Sequence, residues 1–327
     1  MKPVVLIAMV LFVGVEIHFL AAQQSVSPAT VSEARVVLDL SKKPIFTAME
    51  SPVLNVALQQ FEAKGSPDTV AKVIDGELTR SGLVQQPGAM FTDAYSAATY
   101  QKGGFTFSLG VMPSGKDGVV AVTLSNLGNV NFKALPKLQD AKEVFVQGSS
   151  AIYSSKLPLE EARSKSRELL EAAGWEWFGD TAASFFMRKN AVRLQLMCNS
   201  SPDGTTMLMF SSEQMSTALP LLPGLKRVAY TEPLTFLEGD SPLELTNFWK
   251  EYRELLESNG WKATTDNPLD ATVGKYLIFR NPEGELLELR AHTFETVARF
   301  ELHFMTAEQV RQEDKRAREA AEKAKSK

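Results

Sequence analysis

The sequence predicts an α+β protein of three tandem modules, each an antiparallel sheet with one helix packed on one face. Three observations predict it. "RELLEAAGW" at 167–175 and "RELLESNGW" at 253–261 are nearly the same phrase. The likeness extends outward, since "ALPKLQDAKEV" from Ala134 returns as "ALPLLPGLKRV" from Ala218, and Pro158 returns as Pro242. A fainter copy lies upstream, where Pro44, Pro67 and Gly82 stand in for Pro136, Pro158 and Gly174. Landmarks that shift together are the mark of repeated structural units. They divide the chain into a segment 1–22, a linker 23–39, modules at 40–131, 132–216 and 217–306, and a tail 307–327.

The first segment reads as an export signal. Lys2 precedes an apolar run from Pro3 to Val15, Glu16 and His18 interrupt it, and Ala21 and Ala22 offer a small-residue cleavage site. The rival is an uncleaved anchor, but the run falls short of the roughly 20 apolar residues a bilayer span needs. The expected location is therefore extracytoplasmic (periplasmic or secreted), with no stable membrane span after processing. The single Cys198 forms no intramolecular disulfide, so cores must hold the fold. With 44% apolar and 23% charged residues in 327, those cores are affordable within two or three ordinary domains. A net charge of −4 and no basic stripe speak against a nucleic-acid partner.

Each module repeats one order of elements. Alternating apolar residues come first, as in "EVFVQGSSAIYSS" at 143–155. An amphipathic helix follows. In the third module Leu245, Phe248, Trp249, Tyr252, Leu255 and Leu256 keep the three-and-four spacing, and in the second Leu159, Ala162, Leu169, Leu170 and Ala173 do. Ser241-Pro242-Leu243-Glu244 has the form of a capping-box start. Gly82, Gly174 and Gly260 are the left-handed stops, with Leu83, Trp175 and Trp261 folding back towards Leu78, Leu170 and Leu256. Runs rich in β-branched and aromatic residues then close each module as hairpins, with turns at "KGG", Lys189–Asn190, "SPDG" and "NPEG". The repeated phrase is thus a folding device.

Few residues point to chemistry. No Gly-x-Ser-x-Gly elbow and no phosphate-binding loop occurs, and no catalytic residue or cofactor is expected. Strand parity turns Cys198 inward as a buried thiol and turns Glu288, Arg290 and His292 away from the helix. On that outer face neighbouring strands pair Glu288 with His303 and Arg290 with Glu301 as a charge ladder, and Glu288, His292 and His303 are the metal-ligand candidates. In "TTMLMFSS", Met207 and Met209 make both strand faces apolar, so the spare face is expected against a neighbouring module, or else against a foreign protein. The tail "EQVRQEDKRAREAAEKAKSK" has helical charge spacing and no apolar stripe, so it reads as a solvated helix or a disordered segment.

Two resemblances accompany these readings. Over most of the mature length the chain resembles exported bacterial proteins built from tandem α+β modules ending in Gly-Trp, which implies no particular activity. "FWKEYRELL" followed by "FRNPEGELLEL" at 279–289 resembles the vicinal-oxygen-chelate family, which includes glyoxalases. That likeness implies a metal-binding glutamate at Glu288. The expected function is a non-enzymatic extracytoplasmic binding or scaffold protein, its partners an envelope protein of unknown identity or its own modules. The alternative is a metal-dependent enzyme of the vicinal-oxygen-chelate kind using the third module.

Overall fold

In the computed structural model, residues 27–42 and 53–325 are described; the segment 1–22 read as an export signal and Pro44 lie outside them. The chain enters through α1 (Val31–Val37), which starts on a capping box: Thr30 accepts from the Glu33 N–H and the Glu33 side chain accepts from the Thr30 N–H. Ala29, Ala34 and Leu40 are buried around it, and Gln59 donates to the Leu40 carbonyl. The sequence predicts a linker here. Its described part is instead a docked element, because three apolar side chains find a core within a dozen residues.

The first module comprises β1 (Val53–Leu54), β2 (Leu58–Lys64), α2 (Pro67–Arg80), β3 (Val84–Gln85), β4 (Met90–Phe91), β5 (Ser96–Lys102), β6 (Phe105–Pro113) and β7 (Val119–Asn126). The second follows with β8 (Lys142–Gln147), β9 (Ser150–Ser155), α3 (Leu159–Ala172), β10 (Glu176–Asp180), β11 (Ser184–Lys189), β12 (Val192–Ser200) and β13 (Thr206–Gln214). The third holds β14 (Lys226–Thr231), β15 (Phe236–Ser241), α4 (Leu245–Ser258), β16 (Lys262–Ala263), β17 (Leu269–Asp270), β18 (Lys275–Arg280), β19 (Leu286–Phe294) and β20 (Val297–Met305). A last helix, α5 (Ala307–Lys325), docks through the buried Val310 and carries exposed ion pairs such as Arg311–Glu308.

The three sheets have one topology. Their strand orders are β1-β2-β7-β6-β5-β3, β8-β9-β13-β12-β11-β10 and β14-β15-β20-β19-β18-β16, with β4 and β17 added on β5 and β18. A hairpin leads into the helix, the helix crosses the sheet to its far edge, and the remaining strands zigzag back to the hairpin. The pairings are antiparallel throughout. This is an α+β fold of three like modules.

Each helix ends as its glycine dictates. Gly82, Gly174 and Gly260 have φ of +83°, +79° and +87°, a region that costs other residues a Cβ clash. On the face turned to its sheet, α2 buries Val70, Ile74 and Leu78, α3 buries Ala162 and Leu170, and α4 buries Phe248, Tyr252 and Leu256. Each of the large side chains contributes roughly 1.5–3 kcal/mol by leaving water. The start of α4 departs from the sequence reading. Ser241 is the last residue of β15, paired with Ala298, and its hydroxyl accepts only from the Leu243 N–H. The helix therefore begins at Leu245 behind Glu244, with no side-chain cap. By contrast Ser66 does cap α2, ahead of Pro67.

The first two modules share one hydrophobic core, while the third has its own, which Phe178 and Met215 of the second module join. Module 3 sits on one side of the outer face of the second sheet. There Arg193 donates to the Tyr230 carbonyl, Arg188 donates to the Leu219 carbonyl, and Phe178 lies 6.0 Å from the Tyr230 ring. The contact is close at Gly179, where an added Cβ would lie 2.1 Å from the Val228 carbonyl oxygen. The methionines expected beneath a neighbour lie elsewhere. Met197 and Met209 pair on β12 and β13, away from β10, and with Met207 stay half-buried and outside both cores. Among the described residues, no helix is long and apolar enough to cross a membrane.

Candidate functional site

The outer face of the third sheet gathers its charged residues in rows. Inward residues Leu287, Leu289 and Ala291 are buried under α4, so the alternating positions must face out. One row across four strands is Ile278, Glu288, His303 and Phe236, and the next is Tyr276, Arg290, Glu301 and Glu238. A third joins His292 to Arg299 and Asp240. Beside these rows the loop carrying Ala271, Thr272 and Val273 forms a wall, enclosing a concavity of about 700 Å³ with Tyr276, Ile278, Glu288, Arg290, His292 and Glu301. Gly274 lets the loop come this near. A Cβ there would stand 2.4 Å from the Ala291 carbonyl oxygen.

The charges are mostly spent on each other. Arg290 donates to Glu288 along β19, and that carboxylate holds the guanidinium above its ordinary pKa. Asp240, nearly buried, lies between Arg299 at 2.9 Å and Arg227. Burial pushes its carboxyl up, but the two guanidinium groups more than offset that and hold it below the usual carboxylate range. Arg299 also stacks on Phe294, 3.6 Å from the ring centre. Glu238 and Glu301 stand directly opposite each other, a like-charge pairing whose cost is offset by Arg290, the cross-strand neighbour of Glu301, and by Arg299, which Glu238 attracts.

The structure brings only some of the metal-ligand candidates together. Glu288 and His303 are cross-strand neighbours. His292 lies four residues along β19, about 13 Å by the rise of a strand, beyond reach of an ion held at ~2 Å by Glu288. Among the described residues, no group of three His, Cys, Asp or Glu side chains could hold a metal ion. "NPEG" is a turn in its own right: Gly284 has φ +83° and donates to the Asn281 carbonyl, while the Asn281 side chain accepts from the Glu285 N–H.

Sequence reasoning missed the apolar wall and the junction between modules. Parity on β18 could have placed Tyr276 and Ile278 beside Glu288. Nothing local marks Glu232, whose partners Ser216 and Asn55 lie 16 and 177 residues away. Protein-family models, curated proteins and solved structures give no match to this chain.

Proposed function

We propose that this chain is a non-enzymatic extracytoplasmic binding or scaffold protein, and that the concavity on the third sheet is where it meets its partner. One observation carries the reading. Tyr276, Glu288, Arg290 and Glu301 project from three adjacent strands beside the exposed Val273, a fixed pattern of charge and apolar surface on rigid elements. Glu288 and Glu301 flank the single Arg290 in the concavity and favour a basic side chain from the partner, and Val273 and Ile278 favour an apolar neighbour to it. An envelope protein presenting such a segment suits the site. Export rests on the apolar 3–15 run and the Ala21-Ala22 pair, and a mature N-terminus at Gln23 would support it.

Photocrosslinking from position 276 in cells tests the binding surface. A defined partner captured there, and lost on Arg290→Glu, supports it; the same capture from Thr123 on the first sheet counts against it. Metal analysis of the purified mature protein tests the other reading. A stoichiometric divalent ion lost on Glu288→Ala overturns the binding role in favour of the metal-dependent, vicinal-oxygen-chelate-like enzyme.

A further inference from the structure

The sheets do not finish their first edge alike. In module 3 the edge strand β14 lies along β10 of module 2, so near that the Val228 carbonyl meets Gly179. The corresponding edge of module 2 is β8, and the strand that would cover it, β3 of module 1, is two residues long and itself exposed. Five of the six residues of β8 are exposed, Val144 and Phe145 by 57% and 43%. Module 1 holds the turn of the hairpin: Gln147 donates to the Pro87 carbonyl, and a Cβ on Gly148 would touch the methyls of Thr106 and Thr99 at 3.6 and 3.8 Å. Among the described residues β8 pairs with β9 alone. Its other row of N–H and C=O groups is open to a further strand.

The face beside this edge is apolar. Phe145 pairs with Ile152, Ile152 with Met209 and Met209 with Met197, so one row crosses β8, β9, β13 and β12 on the outer face. It lies outside both cores, next to the row Phe186–Gln195–Ser211–Ser150, whose Phe186 end packs on module 3. The order of residues along β8 selects its partner. Antiparallel pairing centred on Phe145 sets that residue against its own copy, Val144 against Val146 and Glu143 against Gln147, with no like charges opposed. Centring on Glu143 would oppose two carboxylates. Lys142 and the bulge between Glu143 and Phe145 guard the far end, so the pairing stops there.

We propose that β8 pairs with β8 of a second copy, antiparallel about a two-fold axis at Phe145, which joins two six-stranded sheets into one and brings their apolar rows end to end. Such a contact is self-complementary and closed, so it uses up the edge and does not propagate. Val144 and Phe145 leave water in it, and the open backbone groups find partners. Two strands of this length bury less than the roughly 800 Å² per partner of a standard interface, so the dimer belongs to the weak, concentration-dependent class. The pairing is independent of the concavity on the third sheet.

Analytical ultracentrifugation of the purified mature protein over roughly 1–200 μM should show a monomer–dimer equilibrium. Phe145→Lys sets two ammonium groups against each other at the axis and should weaken it roughly tenfold or more, with an unchanged circular dichroism spectrum. A monomer at every concentration in the wild type overturns the proposal, as does a dimer equally tight in Phe145→Lys. A second variant reads the register and decides the matter should Phe145→Lys not fold. Directly opposed Cα atoms in an antiparallel pair lie about 4.5–5.5 Å apart, within reach of a disulfide. Phe145→Cys should therefore cross-link two copies on mild oxidation, while Thr123→Cys on the first sheet should not; the native Cys198 is buried and stays out of the reaction. Cross-linking no greater from position 145 than from 123 overturns the pairing.

Discussion

Trp261 donates its backbone N–H to the carbonyl of Leu256 over 3.1 Å, and Trp175 and Leu83 make the same bond to Leu170 and Leu78 at 3.0 and 3.1 Å. Gly260, Gly174 and Gly82 donate in turn to Glu257, Glu171 and Thr79. This pair of bonds satisfies carbonyls that a helix end would leave orphaned, and it requires the left-handed glycine between them. The repeated phrase is therefore the same joint built three times.

Two glycine substitutions should move stability in opposite directions. At Gly260 an alanine keeps the bonds but must adopt φ near +87°, which costs about 1 kcal/mol. Gly76 sits inside α2, where a Cβ meets nothing nearer than Arg80 Nη2 at 3.8 Å. Alanine there should add roughly 0.5–1 kcal/mol. Denaturant midpoints should fall for Gly260→Ala and rise for Gly76→Ala; a rise for both would mean the stop carries no strain.

Gly179→Ala should undo the docking of module 3. Its Cβ would lie 2.1 Å from the Val228 carbonyl oxygen, a backbone atom that can move only if β10 and β14 part. The expected loss is about 3 kcal/mol or more, from the clash at the interface together with the φ of +116° that alanine would have to adopt within β10. Calorimetry should then resolve the third module as a separate transition, and X-ray scattering should report a larger radius of gyration. A single unshifted transition would place the contact elsewhere.

Sequence and structure agree best where the cause is local. A helix stop needs only a glycine and a leucine four residues before it, so Gly82, Gly174 and Gly260 were legible and carried the triplication with them. The cross-strand neighbours Glu288–His303 and Arg290–Glu301 follow from alternation and one turn. The start of α4 was misread because Ser241 has the right chemistry for a cap but is already paired in β15. The docking of α1, the uncovered Met209 row and the Glu232 junction depend on how whole modules sit together, and no short stretch of sequence encodes that.

Cys198 should be silent to thiol reagents until module 2 opens. Its side chain is buried on the inward face of β12, and burial pushes the thiol up to about 11, against the smaller opposing effect of Arg163. Since the thiolate is the reactive form, native protein at pH 8 should label slowly and denatured protein fast. Labelling rates across a denaturant series should track the loss of the second sheet. Rapid labelling in native buffer would mean that β12 is accessible from the helix side.

The Asp240 cluster should govern acid stability of the third sheet. Its carboxyl is held below the ordinary range, so the unfolded chain takes up the proton first as pH falls. The stabilisation is therefore fully present above the ordinary aspartate value and is lost as pH drops through the lowered one. Asp240→Asn removes the charge that Arg299 and Arg227 share and should cost about 2 kcal/mol at pH 7, the scale of a hydrogen bond to a charged group. The gap between wild type and variant should shrink steadily below about pH 4. Glu232 should respond with the opposite sign: burial raises its carboxyl from 4.5 to about 7, so the stability its neutral form contributes is lost as pH rises between those values, and the two groups separate on one pH axis. Unfolding free energies measured from pH 3 to pH 8 should show both limbs, the acid limb flattened in Asp240→Asn. A constant gap across that range would mean that the two arginines do not hold Asp240 ionised.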